Sequence, residues 1–465
     1  MTVEQAFIAL ALAGLLLICG VFIRRHVTLL QRLYLPSSIV AGTLALLAGP
    51  EVLGRFMSQA APESGLVDGL FPDYVTEVWR ALPSLLITIV FACLFVGKRI
   101  PPLAVIWQRA GPMIAHGQAL AWGQYVVGIT LVMVLLRPVF GMPAMTGALI
   151  EIGFEGGHGT AAGLAETFRE LGFANGADLA IGLATVGVVS GVLLGTLLVN
   201  WGVRSGRIDP EAAGCDPEAA GEADPDASQG DGVRPGAAEP LAIHFGYLAL
   251  AIAAGWLILQ GLVWVESVTW GRGEEGLELL VHVPLFPLAM IGGVLFQLAM
   301  MRAGRAEAID RDLINRISAA SLDVLIVAAL ATLSLEALGT YFWPLVILAM
   351  AGIAWNLVGF LVLAPRMIPD HWFEKGLANF GQGIGMTVIG LLLVRMSDPQ
   401  NRSGAMEGFG YKQLLFEPVV GGGLFTAASL PLLYAFGALP VLAGTASLML
   451  GWLLFGWWAF GRQRA

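Results

Sequence analysis

A chain of 465 residues with 57% hydrophobic and only 13% charged side chains, at a mean hydropathy of +0.77, has the composition of a membrane protein with many spans and excludes an ordinary soluble domain. The formal charge of −9 collects in one acidic central stretch, while Lys and Arg sit dispersed at span ends, so nothing points to a nucleic-acid partner. Cys19, Cys93 and Cys215 form neither a disulfide framework nor a metal-binding spacing.

The first apolar run is followed, not preceded, by Arg24 and Arg25. That is the wrong polarity for a cleaved signal peptide, so it reads as a span at 4–23. Hydropathy predicts further spans at 36–50, 82–97, 113–136 and 179–201 in the first half. In the second half it predicts 243–266, 284–301, 317–337, 342–364 and 413–437, with a last span at 439–460. Two stretches, 145–168 and 372–394, are apolar but broken by glycines and read as re-entrant segments. Basic residues such as Lys98, Arg99, Arg204, Arg302, Arg311, Arg366 and Lys375 fall on one side of this plan. The positive-inside rule makes that side cytoplasmic, with the N-terminus outside and the C-terminus inside.

A run rich in Ala, Gly, Asp, Glu and Pro at 206–240 cannot bury enough apolar surface to fold and reads as a disordered cytoplasmic linker. It separates a first membrane repeat, 1–205, from a second, 241–437, and 438–465 adds a C-terminal helix. Landmarks recur in the same order: Leu35-Pro-Ser-Ser-Ile-Val-Ala-Gly42 as Phe286-Pro-Leu-Ala-Met-Ile-Gly-Gly293, and Phe154-Glu-Gly-Gly-His-Gly159 as Phe380-Gly-Gln-Gly-Ile-Gly385. Ala184-Thr-Val-Gly187 returns as Pro418-Val-Val-Gly421. The expected fold is therefore all-α, with two inverted-topology repeats of about five transmembrane helices, each carrying a glycine-rich re-entrant loop.

The polar residues at these breaks are the candidate site. Glu155, His158 and Thr160 flank Gly156, Gly157 and Gly159 at a depth where ionisable groups are costly and usually functional. A half-helix starting at Thr160 would aim free N–H groups at the break, which suits a carboxylate. The structural alternative is a close helix crossing, with His158 bonded to a backbone carbonyl. In the second break Asn379, Gln382 and Thr387 stand among Gly381, Gly383 and Gly385 and could hold polar groups of a solute or, with exposed carbonyls, a cation. Asp323 and Glu417, each inside a predicted span, are candidate proton or sodium sites, with Glu417 before Pro418 also readable as a helix kink. No zinc-protease helix, nucleophile elbow or phosphate-binding loop is present, so neither an enzyme nor an ATP-driven pump is expected. A channel would need a continuous polar stripe along several spans, and the polar residues are isolated.

Gly156-Gly-His-Gly-Thr160, Glu166-Thr-Phe-Arg-Glu-Leu-Gly-Phe173 and Ala184-Thr-Val-Gly-Val-Val-Ser-Gly191 resemble the sodium/glutamate symporter family. The likeness extends to Pro36–Gly42 and Ser318–Leu335 and covers most of both halves. In the second loop, where the family pattern is close to Gly-His-Cys-Gly-Phe-Gly-Leu-Gly-Ala-Thr, this chain keeps Gly381, Gly383, Gly385 and Thr387 but places Asn379, Phe380 and Gln382 at the other positions. Glu155 stands where the family commonly has a small residue. The resemblance implies sodium-coupled uptake of glutamate or a related anionic solute, by a homodimer in the inner membrane working through an elevator-like movement. Sodium is then the coupling ion, with a proton as the alternative, and no organic cofactor is implied. On this reading N–H groups of Gly157, Gly159 and Thr160 hold a solute carboxylate, His158 and Asn379 orient it, and Gln382, Thr387 and Asp323 serve the ion.

Overall fold

The structure is a computed structural model that describes residues 2–32, 35–208, 239–270, 279–400 and 402–461. Among these residues it is helical throughout, with no strand, and eleven helices are long and apolar enough to cross a membrane. The linker lies almost wholly outside the described residues, as does Cys215.

Three helices open the chain: α1 (Val3–His26), α2 (Ser37–Ala60) and α3 (Asp73–Cys93). α3 starts well before the predicted 82 because its first turns are amphipathic, with Asp73, Glu77 and Arg80 among buried Val75, Val78 and Trp79. α4 (Leu103–Phe140) follows, then the short α5 (Leu149–Phe154) and α6 (Gly157–Gly163), then α7 (Gly176–Arg204). Beyond the linker come α8 (Glu239–Val268), α9 (Leu285–Arg302), α10 (Arg311–Ala331), α11 (Phe342–Met367) and α12 (Trp372–Ser397). The chain closes with α13 (Ala405–Phe416), α14 (Leu424–Phe436) and α15 (Ala438–Ala459).

Local chemistry explains the irregularities. α4 and α11 each widen into a π-turn, Val132–Leu136 and Gly359–Leu363, directly before a proline at the second position of the next turn. Proline has no N–H to continue the ladder, and the wider turn absorbs the mismatch. α12 is broken at Gly385 and at Met386, whose φ of 58° is left-handed. Its two halves fold back on each other, so close that a Cβ on Gly381 would lie 2.7 Å from the Gly390 backbone. Only glycine permits such an approach. In the first half, α5 and α6 are parted by a bend ending at Gly157, with φ of 71°.

α7 ties both broken regions together. Its early turns back onto Gly153 of α5, and Gly187 lies against Phe154 and the Ile384 carbonyl. Gly191 and Gly195 then dock on Ile384, Ile389 and Leu393 of α12, and Gly202 on Phe373. Gly187, Gly191 and Gly195, spaced four residues apart, make this the close-packed helix face common in bilayers.

One predicted element needs correction. The span expected at 413–437 is not a single helix: α13 and α14 are separated by 417–423, where Gly421 and Gly422 take φ of 72° and 101°. Pro418 cannot continue the ladder and three successive glycines favour no helix. The freed backbone is re-tied by Leu424 N–H donating to the Pro418 carbonyl at 3.0 Å and Phe425 N–H to Val419 at 2.9 Å.

Candidate functional site

Three breaks converge. The bend between α5 and α6 meets the break in α12, since a Cβ on Gly157 would lie 2.7 Å from Met386 Sδ. The break between α13 and α14 joins them: a Cβ on Gly422 would lie 2.6 Å from Thr160 Oγ1, and one on Gly421 3.9 Å from Gln382 Nε2. Thr160 and Gln382, expected from separate loops, thus flank the same pair of glycines. Asn379, Gln382, Gly383, Glu155, His158 and Thr160 are all buried.

The centre of this region is a lysine. Lys412, on α13 and 1% exposed, donates to Gln382 Oε1 at 2.6 Å and to Asn379 Oδ1 at 2.9 Å. Its ammonium lies 4.0 Å from the centre of the Phe416 ring, a contact that favours a desolvated cation. Asn379 Nδ2 donates to the Met113 carbonyl at 3.0 Å and meets His116 Nδ1 at 2.9 Å, while His116 Nε2 lies 3.1 Å from the Gly359 carbonyl at the π-turn of α11. Nδ1 therefore accepts and Nε2 donates, the tautomer in which both contacts are hydrogen bonds.

Three carboxylates stand in this region, two of them, Glu155 and Glu417, close enough to act on Lys412. Glu151 of α5 is satisfied: Oε2 accepts from Tyr125 Oη at 2.5 Å, and Oε1 from Gly421 N–H at 2.6 Å and Thr426 Oγ1 at 2.8 Å. It thereby pins the 417–423 break to α5. Glu417 Oε1 accepts from Gln413 Nε2 at 2.9 Å and Thr387 Oγ1 at 3.2 Å, which places it at the start of the returning half of α12. A carboxylate there also meets the positive end of the helix dipole. Glu155 is different. Oε1 accepts only from Gln124 Nε2, at 3.3 Å, and Oε2 has no partner.

The other sequence candidates lie partly around and partly outside this network. His158 Nε2 lies 3.0 Å from Thr185 Oγ1 of α7, and His158 Nδ1 and Thr160 Oγ1 have no partner. The N–H aim expected from a half-helix starting at Thr160 meets a shorter element, since α6 already begins at Gly157 and runs only to Gly163. Gly159 faces Ile87 and Leu322, apolar side chains of α3 and α10. Gly156 packs on Thr160, and Gly385 on Ile389. Asp323 lies beside Ser38 of α2, and among the described residues no hydrogen bond or ion pair joins it to the network around Lys412. Among the described residues no group of three His, Cys, Asp or Glu side chains could hold a metal ion.

Lys412, Glu151, His116, Gln124, Tyr125 and Asn356 were not among the sequence candidates. Lys412 falls just outside the span predicted from 413, where a lysine is ordinary. Glu151 had a signal of the same kind as Glu155, a carboxylate inside an apolar run.

Two crevices reach toward the site from opposite ends of α3 and α10. One, of about 510 Å³, is lined by Glu77, Arg80, Ala162, Glu166, Arg169 and Asp178. The other, of about 540 Å³, is lined by Lys98, Arg99, Arg311, Glu407, Tyr411 and Leu414.

A family profile described as sodium/glutamate symporter matches residues 80–371, a stretch containing α4 to α11 and most of α3. No curated protein matches the sequence. Among solved structures, the sodium proton antiporter of Methanocaldococcus jannaschii is similar at 14% identity over 93% of this chain and 99% of its own, with a TM-score of 0.36. A likeness that loose carries no argument.

Proposed function

The chain belongs to the sodium/glutamate symporter family, and on that premise we propose that this multi-pass membrane protein carries a small organic anion, glutamate or a related dicarboxylate, together with sodium. The observation that carries the proposal is the buried, unpartnered Thr160 Oγ1 beside Gly422 of the α13–α14 break. Buried polar atoms without partners are costly, and at membrane depth they mark solute or ion paths. In this reading the Thr160 hydroxyl and the N–H groups of Gly157, Gly159 and Thr160 hold a solute carboxylate, His158 orients it, and Lys412, bound to Asn379 and Gln382, supplies positive charge to the site.

The broken pairs α5–α6 and α12 serve as re-entrant hairpins of two inverted repeats, which the equivalent positions of the π-turns in α4 and α11 support. The crevices at opposite ends of α3 and α10 suit alternating access. The wider proposal is a homodimer in the inner membrane, N-terminus outside and C-terminus cytoplasmic, with 1–205 and 241–437 as the repeats and α15 as an addition. A proton is the second coupling ion to test, because Glu155 Oε2 is buried without a partner.

Uptake of labelled glutamate, aspartate and C4-dicarboxylates into proteoliposomes, under an inward sodium gradient, a proton gradient or neither, tests this. Sodium-driven accumulation of one of them is expected. Failure of every anion under both gradients would sink the reading.

A further inference from the structure

The buried carboxylates around the three breaks are not satisfied alike. Glu151, Glu155 and Glu417 are all buried; Lys412, Lys98 and Arg311 are the cations acting on Glu417, Tyr125 bonds Glu151, and His116 and His158 are further titratable groups of the region. Glu151 and Glu417 each receive two or more hydrogen bonds, whereas Glu155 Oε2 has none. Two more oxygens beside it are also unpaired. Gln124 of α4 donates through Nε2 to Glu155 Oε1 at 3.3 Å and to the Gly383 carbonyl at 2.6 Å, so its Oε1 is left free. Asn356 of α11 donates through Nδ2 to the same Gly383 carbonyl at 2.9 Å, and its Oδ1 is likewise free. Glu155, Gln124 and Asn356 are 4%, 0% and 0% exposed.

We propose that Glu155 Oε2, Gln124 Oε1 and Asn356 Oδ1, gathered about the Gly383 carbonyl, form a monovalent hard-cation site that takes the coupling sodium. All three are oxygen acceptors, one belongs to a carboxyl group that can supply a full charge to a cation, and none is a soft ligand, which suits an alkali cation over a transition metal. Gly383 lies in the last turn of the first half of α12, before the break at Gly385. Carbonyls there carry the negative end of the helix dipole, the end that coordinates cations in broken transporter helices. The cation would also balance the carboxylate of Glu155, whose Oε2 is buried without a partner and otherwise costs heavily at this depth. Asp323, the acid favoured by sequence, has no contact with this group. The inference rests on the transporter reading for the word coupling, while the site itself stands on its own geometry.

The test needs no solute. Thermal unfolding of the full-length protein in detergent is followed as sodium chloride replaces choline chloride at constant ionic strength. A ligand that binds only the folded state raises the midpoint. Wild type should be stabilised by sodium, and Glu155→Gln should raise the sodium concentration for half the effect by about tenfold or more, the cost of one charged ligand. Should Glu155→Gln fail to fold, Gln124→Ala and Asn356→Ala, each removing one oxygen, carry the same readout. Asp323→Asn should respond to sodium as wild type does. A sodium response unchanged in all three variants at the site, or lost in Asp323→Asn instead, overturns the proposal. So does a wild type indifferent to sodium, which would mean that water or a proton fills the gap. Sodium-driven uptake with an unaltered response in Glu155→Gln would defeat this site and leave the transport reading standing. A sodium response lost in Glu155→Gln without uptake of any anion would do the reverse.

Discussion

At the scale of single residues, the site depends on groups satisfied only by each other. Lys412 is held by two amide oxygens and a ring face and lies against Gly117, where a Cβ would come within 2.6 Å of Nζ. Lys412→Met would leave Asn379 Oδ1 and Gln382 Oε1 buried without a donor. A loss of about 1–3 kcal/mol for each is expected, read as a lower unfolding midpoint, together with loss of uptake. Lys412→Arg should not rescue either readout, because the planar guanidinium is too large for a space closed by Gly117 and presents its donors in a different fork. Glu151 makes a separate prediction. As a glutamine it would turn an N–H₂ toward Tyr125 or toward the donors of the α14 start, so Glu151→Gln should cost about 1–3 kcal/mol. Unchanged thermal stability in Glu151→Gln would show that the carboxylate does not pin the 417–423 break.

At the scale of elements, the glycines do two distinct jobs. Gly157, at φ of 71° and facing Met386 Sδ, shapes the bend, and Gly157→Ala should cost about 1–2 kcal/mol for the left-handed backbone alone. Gly159 and Gly163 do something else. Each presents its bare Cα to Ile87 of α3, where an added Cβ would come within 2.8 Å. They give α6 a smooth face against α3 and α10, the kind of surface along which one group of helices slides past another. Gly163→Val should therefore slow uptake several-fold while leaving solute-induced thermal stabilisation in place. Equal loss of binding and rate would show that Gly163 packs the site and has no part in movement.

At the scale of the whole molecule, the two crevices open at opposite ends of the same helix pair, α3 and α10. Cysteines at Ala162, in the crevice with Arg80 and Arg169, and at Gly410, in the crevice with Lys98 and Arg99, should react with membrane-impermeant thiol reagents from opposite faces. The background for this experiment is a chain with Cys19, Cys93 and Cys215 replaced. Labelling of both positions from one face would overturn the proposed orientation, and tags in the 209–238 segment and at the C-terminus should both report cytoplasmic. In that crevice Arg169 is ion-paired with Glu166 and Arg80 stands among Glu77 and Asp178, so removing Arg80 leaves the crevice more acidic. Arg80→Gln should then raise the KM for an anionic solute and leave kcat nearly unchanged, as expected of steering.

Much of this architecture is legible in the sequence, because it rests on local properties. Apolar runs of bilayer length mark α1, α4, α7 and α8, and glycine ladders mark the bends at 155–160 and 381–387, since backbone freedom is a property of the residue itself. The family, too, was readable from Gly156-Gly-His-Gly-Thr160 and its neighbours. The sequence alone did not set which side chains complete the site. Gly421 N–H reaches Glu151 across a separation of 270 residues, and Lys412 reaches Asn379 across 33. Neither partner is visible to hydropathy or periodicity, which see only near neighbours. For the same reason Asp323 and Glu155 looked alike as acids in apolar runs. Packing put one beside Ser38 of α2 and the other against Gln124 of α4, and burial without a full set of donors is a property only the tertiary structure decides.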